Sequence, residues 1–312
     1  MTISVLHTVD AWWVKTPAGA AKIGTTAATT AQLLADRAAI EAATAGTDTV
    51  AVDSLRLISP VTRPCRVVAQ MTNFESHVTD AGMDPASVPL TFFRKASASI
   101  NGPFDDIVKP SHVTLLDYEV EIGLVIGRAI PVGTSISDAN LTEFVAGLVV
   151  ANDVSARDIQ LPQTQFYEAK SYPTFTPVGP ELVLLDANEL KRFGDLRLRL
   201  SVNGDERQNS LVEGDMLHRP LQALQSLTQF QELAPGDLIL TGTPVGTALS
   251  APPRPLEIIG NLLPPAIKWR AFFKRQAANP KYLRDGDVVE ASVATDDGTI
   301  DLGTQRNTVR YA

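Results

Sequence analysis

The sequence predicts an α+β fold that is predominantly β: a β-roll or sandwich with peripheral helices and a small N-terminal α+β domain over residues 1–62. Three observations carry this. From Arg66 onward, short β-branched runs alternate with Gly, Pro, Asn and Asp turn signals. These runs lack the regular intervening helices of a doubly wound parallel sheet, which argues against a Rossmann fold. The first sixty residues read differently, as one Ala- and Leu-rich helix beside short strands.

In chain order, residues 31–45 (AQLLADRAAIEAATA) follow a candidate cap at Thr30 and stop at Gly46, which predicts one helix. Pro60 and Pro64 bracket the boundary between residues 1–62 and 63–312. Strands are expected within 120–127, 144–152, 196–204, 237–244 and 286–293. Helices are expected at 220–229, where Pro220 suits a first turn, and at 264–279, which contains Ile267, Trp269, Phe272 and Phe273.

Composition narrows the partners. The 312 residues are 44% hydrophobic and 20% charged, ordinary for a globular protein. A net charge of -8 without a basic run gives no reason to expect nucleic acid or anionic lipid. Apolar stretches such as 144–151 are about half the length needed to cross a bilayer, and no secretory-type leader is visible, so the expectation is a cytoplasmic protein. Cys65 is the only cysteine. It permits no internal disulfide or thiolate cluster, and it reads as a buried small hydrophobe.

The chemistry-bearing segment is Asp117-Tyr118-Glu119-Val120-Glu121, ahead of the apolar run IGLVIG. On a strand, these carboxylates at i, i+2 and i+4 project to one face, with alternate Cβ atoms roughly 6–7 Å apart. Two of them could share one cation, or all could form a solvated strand face. A second apolar run, VAGLVVAN, delivers Asp153 where the strand pattern stops, followed by Arg157 and Gln160. An Asp there can also be a turn former.

In order, LDYEVEIGLVIGR, ANDVSARDIQ, KSYPTFTPVGPELV, VNGDERQNS with DMLH, PGDLILTGTPVG and LRDGDVVEASVATDDGTIDLGTQRNTV resemble the C-terminal catalytic domain of the fumarylacetoacetate hydrolase family. That family includes acylpyruvate hydrolases, oxaloacetate decarboxylases and 2-oxopent-4-enoate hydratase-like enzymes. The resemblance covers about residues 65–312. It implies that Glu119, Glu121 and Asp153 ligate a divalent cation, that Arg157 and Gln160 lie in the active site, and that Lys170 stands near metal and substrate. It further implies substrate contacts from Asn73, Tyr172, Gly242 and Thr243. His77, in the TNFESH loop, would be the catalytic histidine, oriented by Asp80 or Glu75.

The residue types agree with this transfer. Converging carboxylates repel one another unless a cation compensates them. All-oxygen ligation points to Mg²⁺ or Mn²⁺, with Ca²⁺ as a further option, rather than Zn²⁺ or copper. The expected function is a divalent-metal-dependent hydrolase cleaving a C–C bond in an acylpyruvate-like or other 1,3-diketo acid through a metal-stabilised enolate. The alternatives at the same site are decarboxylation of a β-oxo acid and hydration or tautomerisation of a 2-hydroxydienoate. A non-catalytic metabolite-binding protein is the alternative of another class. His77 is the candidate general base. Lys170 would stabilise developing negative charge, and Arg157 would either clamp a substrate carboxylate or pair with Asp153 or Asp158.

Two departures from the family pattern limit the transfer. Pro173 stands where Asp is common, and residues 251–281 are inserted after TGTPVG. The inserted aromatic residues form either one face of a packed helix or part of a substrate entrance. Relatives are commonly homodimers, so a homodimer is expected.

Overall fold

The computed structural model describes residues 2–163, 165–249 and 264–312. Two sheets dominate. One is ten-stranded and runs Thr49–Val50, Gly19–Lys22, Trp12–Thr16, Ile3–His7, Leu182–Leu184, Val145–Asn152, Val120–Ile126, Leu238–Leu240, Val67–Gln70, Phe92–Lys95. The other is five-stranded and runs Asp205–Leu211, Leu196–Val202, Val288–Thr295, Asp301–Tyr311, Ile107–Lys109.

Every residue of Val120–Ile126 is buried, because both faces of this central strand are covered. Val120, Ile122 and Leu124 pack toward a core shared with Leu196, Leu198, Leu200, Val289 and Val293 of the five-stranded sheet. Val125 joins a second core with Leu33 and Ile40 of the N-terminal helices. The architecture is therefore sheet on sheet, with helices on the outer face, as the strand-rich pattern predicts. The run LRLRLSV shows the physical basis. Leu196, Leu198 and Leu200 face in, while Arg197 and Arg199 face out to Asp296, so a one-residue slip would exchange them.

Two sequence expectations change in detail. The helix expected over 31–45 is two helices, Thr30–Ala35 and Arg37–Thr44, broken at Asp36, whose carboxylate accepts from Thr25. Thr29, not Thr30, is the cap. Its hydroxyl accepts from Gln32 N, and the Gln32 side chain returns the bond in a capping box. The N-terminal strands join the central sheet directly, since Ile3–His7 pairs with Leu182–Leu184.

Helix Pro220–Leu227 lies where its apolar spacing and Pro220 predict. Of the insertion expected at 251–281, residues 251–263 lie outside the described residues. Helix Pro265–Gln276 follows them, with Trp269 stacked on Phe273 and Phe273 packed against the main core. Among the described residues, no helix is long and apolar enough to cross a membrane.

Candidate active site

The sheet register builds the acidic cluster. Strands Val120–Ile126 and Val145–Asn152 run antiparallel, with Val120 opposite Asn152. Asp153, the first residue past its strand, therefore arrives beside Glu119, and its backbone N–H donates to Glu119 O at 2.9 Å. Ligand oxygens of Glu119, Glu121 and Asp153 all lie within 4.8 Å of one another, and all three residues are buried.

Three cations stand on these acids. Lys170 Nζ donates at 2.6 Å to both Glu119 Oε2 and Asp153 Oδ2. Lys95 Nζ donates to Asp153 Oδ1 and to Phe175 O. Arg157 donates through Nη2 to Glu119, through Nε to Asp117 at 2.8 Å, and through Nη1 to Gln160 Oε1 at 2.8 Å. Buried ions are tolerated only when paired in this way.

Four buried carboxylates, Asp117, Glu119, Glu121 and Asp153, thus face three buried cations, Lys95, Arg157 and Lys170. The surplus negative charge falls on Glu121. Burial, then the charges of Asp153 and Glu119, push its carboxyl well above the usual range. Burial would raise Glu119 too, but Arg157 and Lys170 hold it down to about 2. Desolvation opposes the charge on Lys170, yet Asp153 and Glu119 keep its pKa raised. Desolvation depresses Lys95, opposed by Asp153. A buried all-oxygen donor set with one uncompensated carboxylate suits a hard divalent cation, so the residues fit the metal that the sequence implies.

Asp117 does not share the face of the two glutamates, contrary to the i, i+2, i+4 reading. Strand Leu116–Asp117 pairs with Ser155–Ala156, whereas Val120–Ile126 pairs with Val145–Asn152, and the two residues between them belong to neither strand. Asp117 instead accepts from the backbone of Tyr118, Ala248 and Leu249, and from Arg157. Arg157 pairs with Asp117 and Glu119 rather than with Asp153 or Asp158. Asp158 caps the backbone of Thr114 and Leu115.

The residues expected to touch substrate have protein partners. Asn73 donates to His218 O and Thr241 O and accepts from His218 N. Thr243 donates to Val120 O and accepts from Gln208. Gly242 N donates to Glu121 Oε2 at 2.7 Å. Tyr172 OH bonds Glu168 and His112, each at 2.8 Å.

His77 lies on the short helix Glu75–Asp80. Desolvation lowers its pKa, and the charges of Glu119, Arg157 and Lys170 act on it. Its buried Nδ1 has no hydrogen-bond partner among the described residues. The expectation that Asp80 or Glu75 orients the ring has no hydrogen bond to support it among the described residues, and both acids are exposed.

Lys95 escaped the sequence reading. Its signal was a lone lysine closing the segment TFFRK, and it is the one buried residue of strand Phe92–Lys95. Nothing local marks such a lysine as buried until strand Phe92–Lys95 is paired with Val67–Gln70.

Residues 66–310 match the fumarylacetoacetate hydrolase C-terminal domain. The chain belongs to the fumarylacetoacetate hydrolase family. It is 36% identical over 197 residues to a mitochondrial oxaloacetate tautomerase of Rattus norvegicus, a match covering 63% of this chain and 61% of that protein. The chain thus spans less than two thirds of that relative's length. It is 33% identical over 251 residues to a 2,4-didehydro-3-deoxy-L-rhamnonate hydrolase of Sphingomonas sp. (strain SKA58), covering 80% of this chain and 75% of the hydrolase. The solved fumarylacetoacetate hydrolase of Exiguobacterium antarcticum superposes over 100% of both chains, with a TM-score of 0.72 at 25% identity. Family members of this kind are enzymes, and the fold of this one is theirs.

Proposed function

We propose that this chain moves a proton on a small 2-oxo acid, interconverting the keto and enol forms of an oxaloacetate-like substrate. The observation that carries the reading is the combination of a doubly paired Lys170 with His77, whose pKa desolvation lowers and whose buried Nδ1 has no partner among the described residues. An imidazole with a lowered pKa keeps one ring-nitrogen lone pair, which can take a proton from the carbon next to a carbonyl. The tautomerase relative supports the same chemistry.

A divalent cation held by Glu119, Glu121 and Asp153 would supply Lewis-acid polarisation of the substrate carbonyl. Lys170 spends two of its three N–H groups on Glu119 and Asp153, leaving one for a substrate oxygen that gains negative charge. Arg157 spends three of five N–H groups on Asp117, Glu119 and Gln160, leaving two for a substrate carboxylate. Gly242 and Thr243 act through the protein: one fixes Glu121, the other the backbone of Val120.

C–C hydrolysis of an acylpyruvate-like acid is the second reading. His77 would then take its proton from water, and the hydrolase relative supports it. It ranks below tautomerisation because, among the described residues, no carboxylate hydrogen-bonds His77 Nδ1 to orient the ring toward water. The test offers oxaloacetate, acylpyruvates and 2-hydroxydienoates to protein loaded with Mg²⁺ or Mn²⁺ while enol absorbance is followed. The proposal expects chelator-sensitive decay of enol oxaloacetate without release of a cleaved acid. Stoichiometric release of pyruvate from acylpyruvate would favour hydrolysis, and inertness toward every compound would end both readings.

A further inference from the structure

We propose that Asp117 is a positioning residue for Arg157, and that the inserted segment holds it there. This rests on Arg157 serving the site described above.

Asp117 is fully buried, and its two oxygens are completely engaged. Oδ1 accepts from Tyr118 N and Ala248 N, each at 2.8 Å. Oδ2 accepts from Leu249 N at 3.1 Å and from Arg157 Nε at 2.8 Å. Three backbone N–H groups make the carboxylate rigid, so it fixes the plane of the guanidinium from behind. The same guanidinium meets Glu119 through Nη2 and Gln160 through Nη1. With Nε pinned, the Nη positions leave the arginine little rotation. The carboxylate therefore sets where the two remaining N–H groups point.

The clamp on Asp117 is made by residues just ahead of the insertion. Ala248 and Leu249 supply two of the three backbone donors, and Asn279, near the far end of the insertion, donates its Nδ2 to Ala248 O at 2.8 Å. Asn279 Oδ1 in turn accepts from Lys281 N at 3.0 Å. Helix Pro265–Gln276 leads into Asn279, and Tyr282 OH donates to Gln276 at 3.2 Å just beyond it. Both ends of the insertion are thus tied at the peptide that grips Asp117. The segment's influence on the site runs from Asn279 through Ala248 to Asp117 and Arg157, and needs no direct contact with substrate.

A double-mutant cycle tests this, because a residue that acts only through Arg157 has nothing left to do when Arg157 is gone. The variants are Asp117→Asn, Asn279→Ala and Arg157→Ala, with each of the first two also made in the Arg157→Ala background. Two readouts are taken on metal-loaded protein: kcat/KM with oxaloacetate, and the affinity for oxalate, a planar dicarboxylate probe, by calorimetry. Asp117→Asn turns the acceptor facing Arg157 Nε into an amide and should weaken oxalate binding about 10- to 100-fold. Asn279→Ala should weaken it about 2- to 5-fold, with circular dichroism unchanged.

Both effects should fall below about 2-fold in the Arg157→Ala background. Equal losses in the two backgrounds, or no loss from either variant, overturn the proposal. Should Asp117→Asn fail to fold, Asn279→Ala carries the cycle alone, and an effect that persists without Arg157 overturns it. If no dicarbonyl is turned over but the oxalate cycle behaves as stated, the functional reading fails and the positioning of Arg157 stands.

Discussion

The backbone N–H of Gly242 donates to the Glu121 carboxylate at 2.7 Å, the single protein hydrogen bond described for the acid that bears the site's surplus charge. Gly242 has φ +84°, and a Cβ there would come within 2.8 Å of the Asn73 Cβ. Gly242→Ala should therefore strain the turn and displace the donor, costing about 1–3 kcal/mol of stability. Thermal unfolding together with Mn²⁺ titration checks this: both the midpoint and the affinity fall. A variant with native affinity and midpoint would show that the turn tolerates a side chain.

Lys170→Met should leave cation binding in place while removing turnover. The ammonium neutralises Glu119 and Asp153, so its loss raises the negative charge of the ligand set and favours a divalent cation. The N–H assigned to the substrate oxygen disappears, at a cost of about 10²–10³ in kcat. Mn²⁺ affinity at or above the wild-type value, with kcat lost, is the expected pair of results. Unchanged kcat would remove Lys170 from the mechanism.

His7 gives the N-terminal strands a pH-dependent stability. The ring stacks on Trp12 with centroids 3.7 Å apart, and Nδ1 meets Ser59 O at 2.8 Å. Burial lowers its pKa, partly opposed by that carbonyl. The unfolded chain then binds the proton more readily below about pH 6.5. His7's contribution is intact above that pH and is lost as the pH falls toward its lower folded value. The thermal midpoint of His7→Phe, compared with wild type, should hold level from pH 7.5 to about 6.5 and gain as the pH falls further toward 5. A constant difference over that range would contradict the assignment.

Cys65 should be a silent thiol. Burial, with the charge of Asp237 added, pushes it up to about 12. The thiolate is the reactive form. Labelling with a disulfide reagent near pH 8 should be slow in the native protein and fast once it is unfolded. Equal rates in the two states would show that the native thiol ionises normally.

The segment from Asn73 to Gly82 holds the helix Glu75–Asp80, with Asp215 accepting from Ser76 N and Oγ. If it closes over substrate, amide exchange in this segment slows when oxalate binds to metal-loaded protein. Identical exchange with and without oxalate would rule out closure.

Much of this molecule was legible in its sequence, and what was not has physical causes. Alternation in LRLRLSV and the apolar runs around Glu121 and Val149 announce half-buried and fully buried strands, because a strand's two faces are read directly from a period of two. Glu119, Glu121 and Asp153 could be assembled from ordered motifs, and they do converge. Asp117 could not be placed correctly. Its departure from the face of Glu119 depends on a break between two strands that pair with different partners, Leu116–Asp117 with Ser155–Ala156 and Val120–Ile126 with Val145–Asn152. Lys95 was invisible for a similar reason, since its burial comes from an ion pair to Asp153, 58 residues away. The roles assumed for Asn73 and Thr243 shift because their polar groups are consumed by backbone partners more than a hundred residues distant.

The central claim is that Glu119, Glu121 and Asp153 hold one divalent cation. Mn²⁺ binding followed by electron paramagnetic resonance, on wild type and on Glu121→Gln, tests it most directly. The account predicts one bound Mn²⁺ per wild-type chain and an affinity at least about 100-fold weaker in Glu121→Gln, where a neutral amide replaces the least compensated carboxylate. Absence of binding to wild type, or equal binding by both proteins, would contradict it.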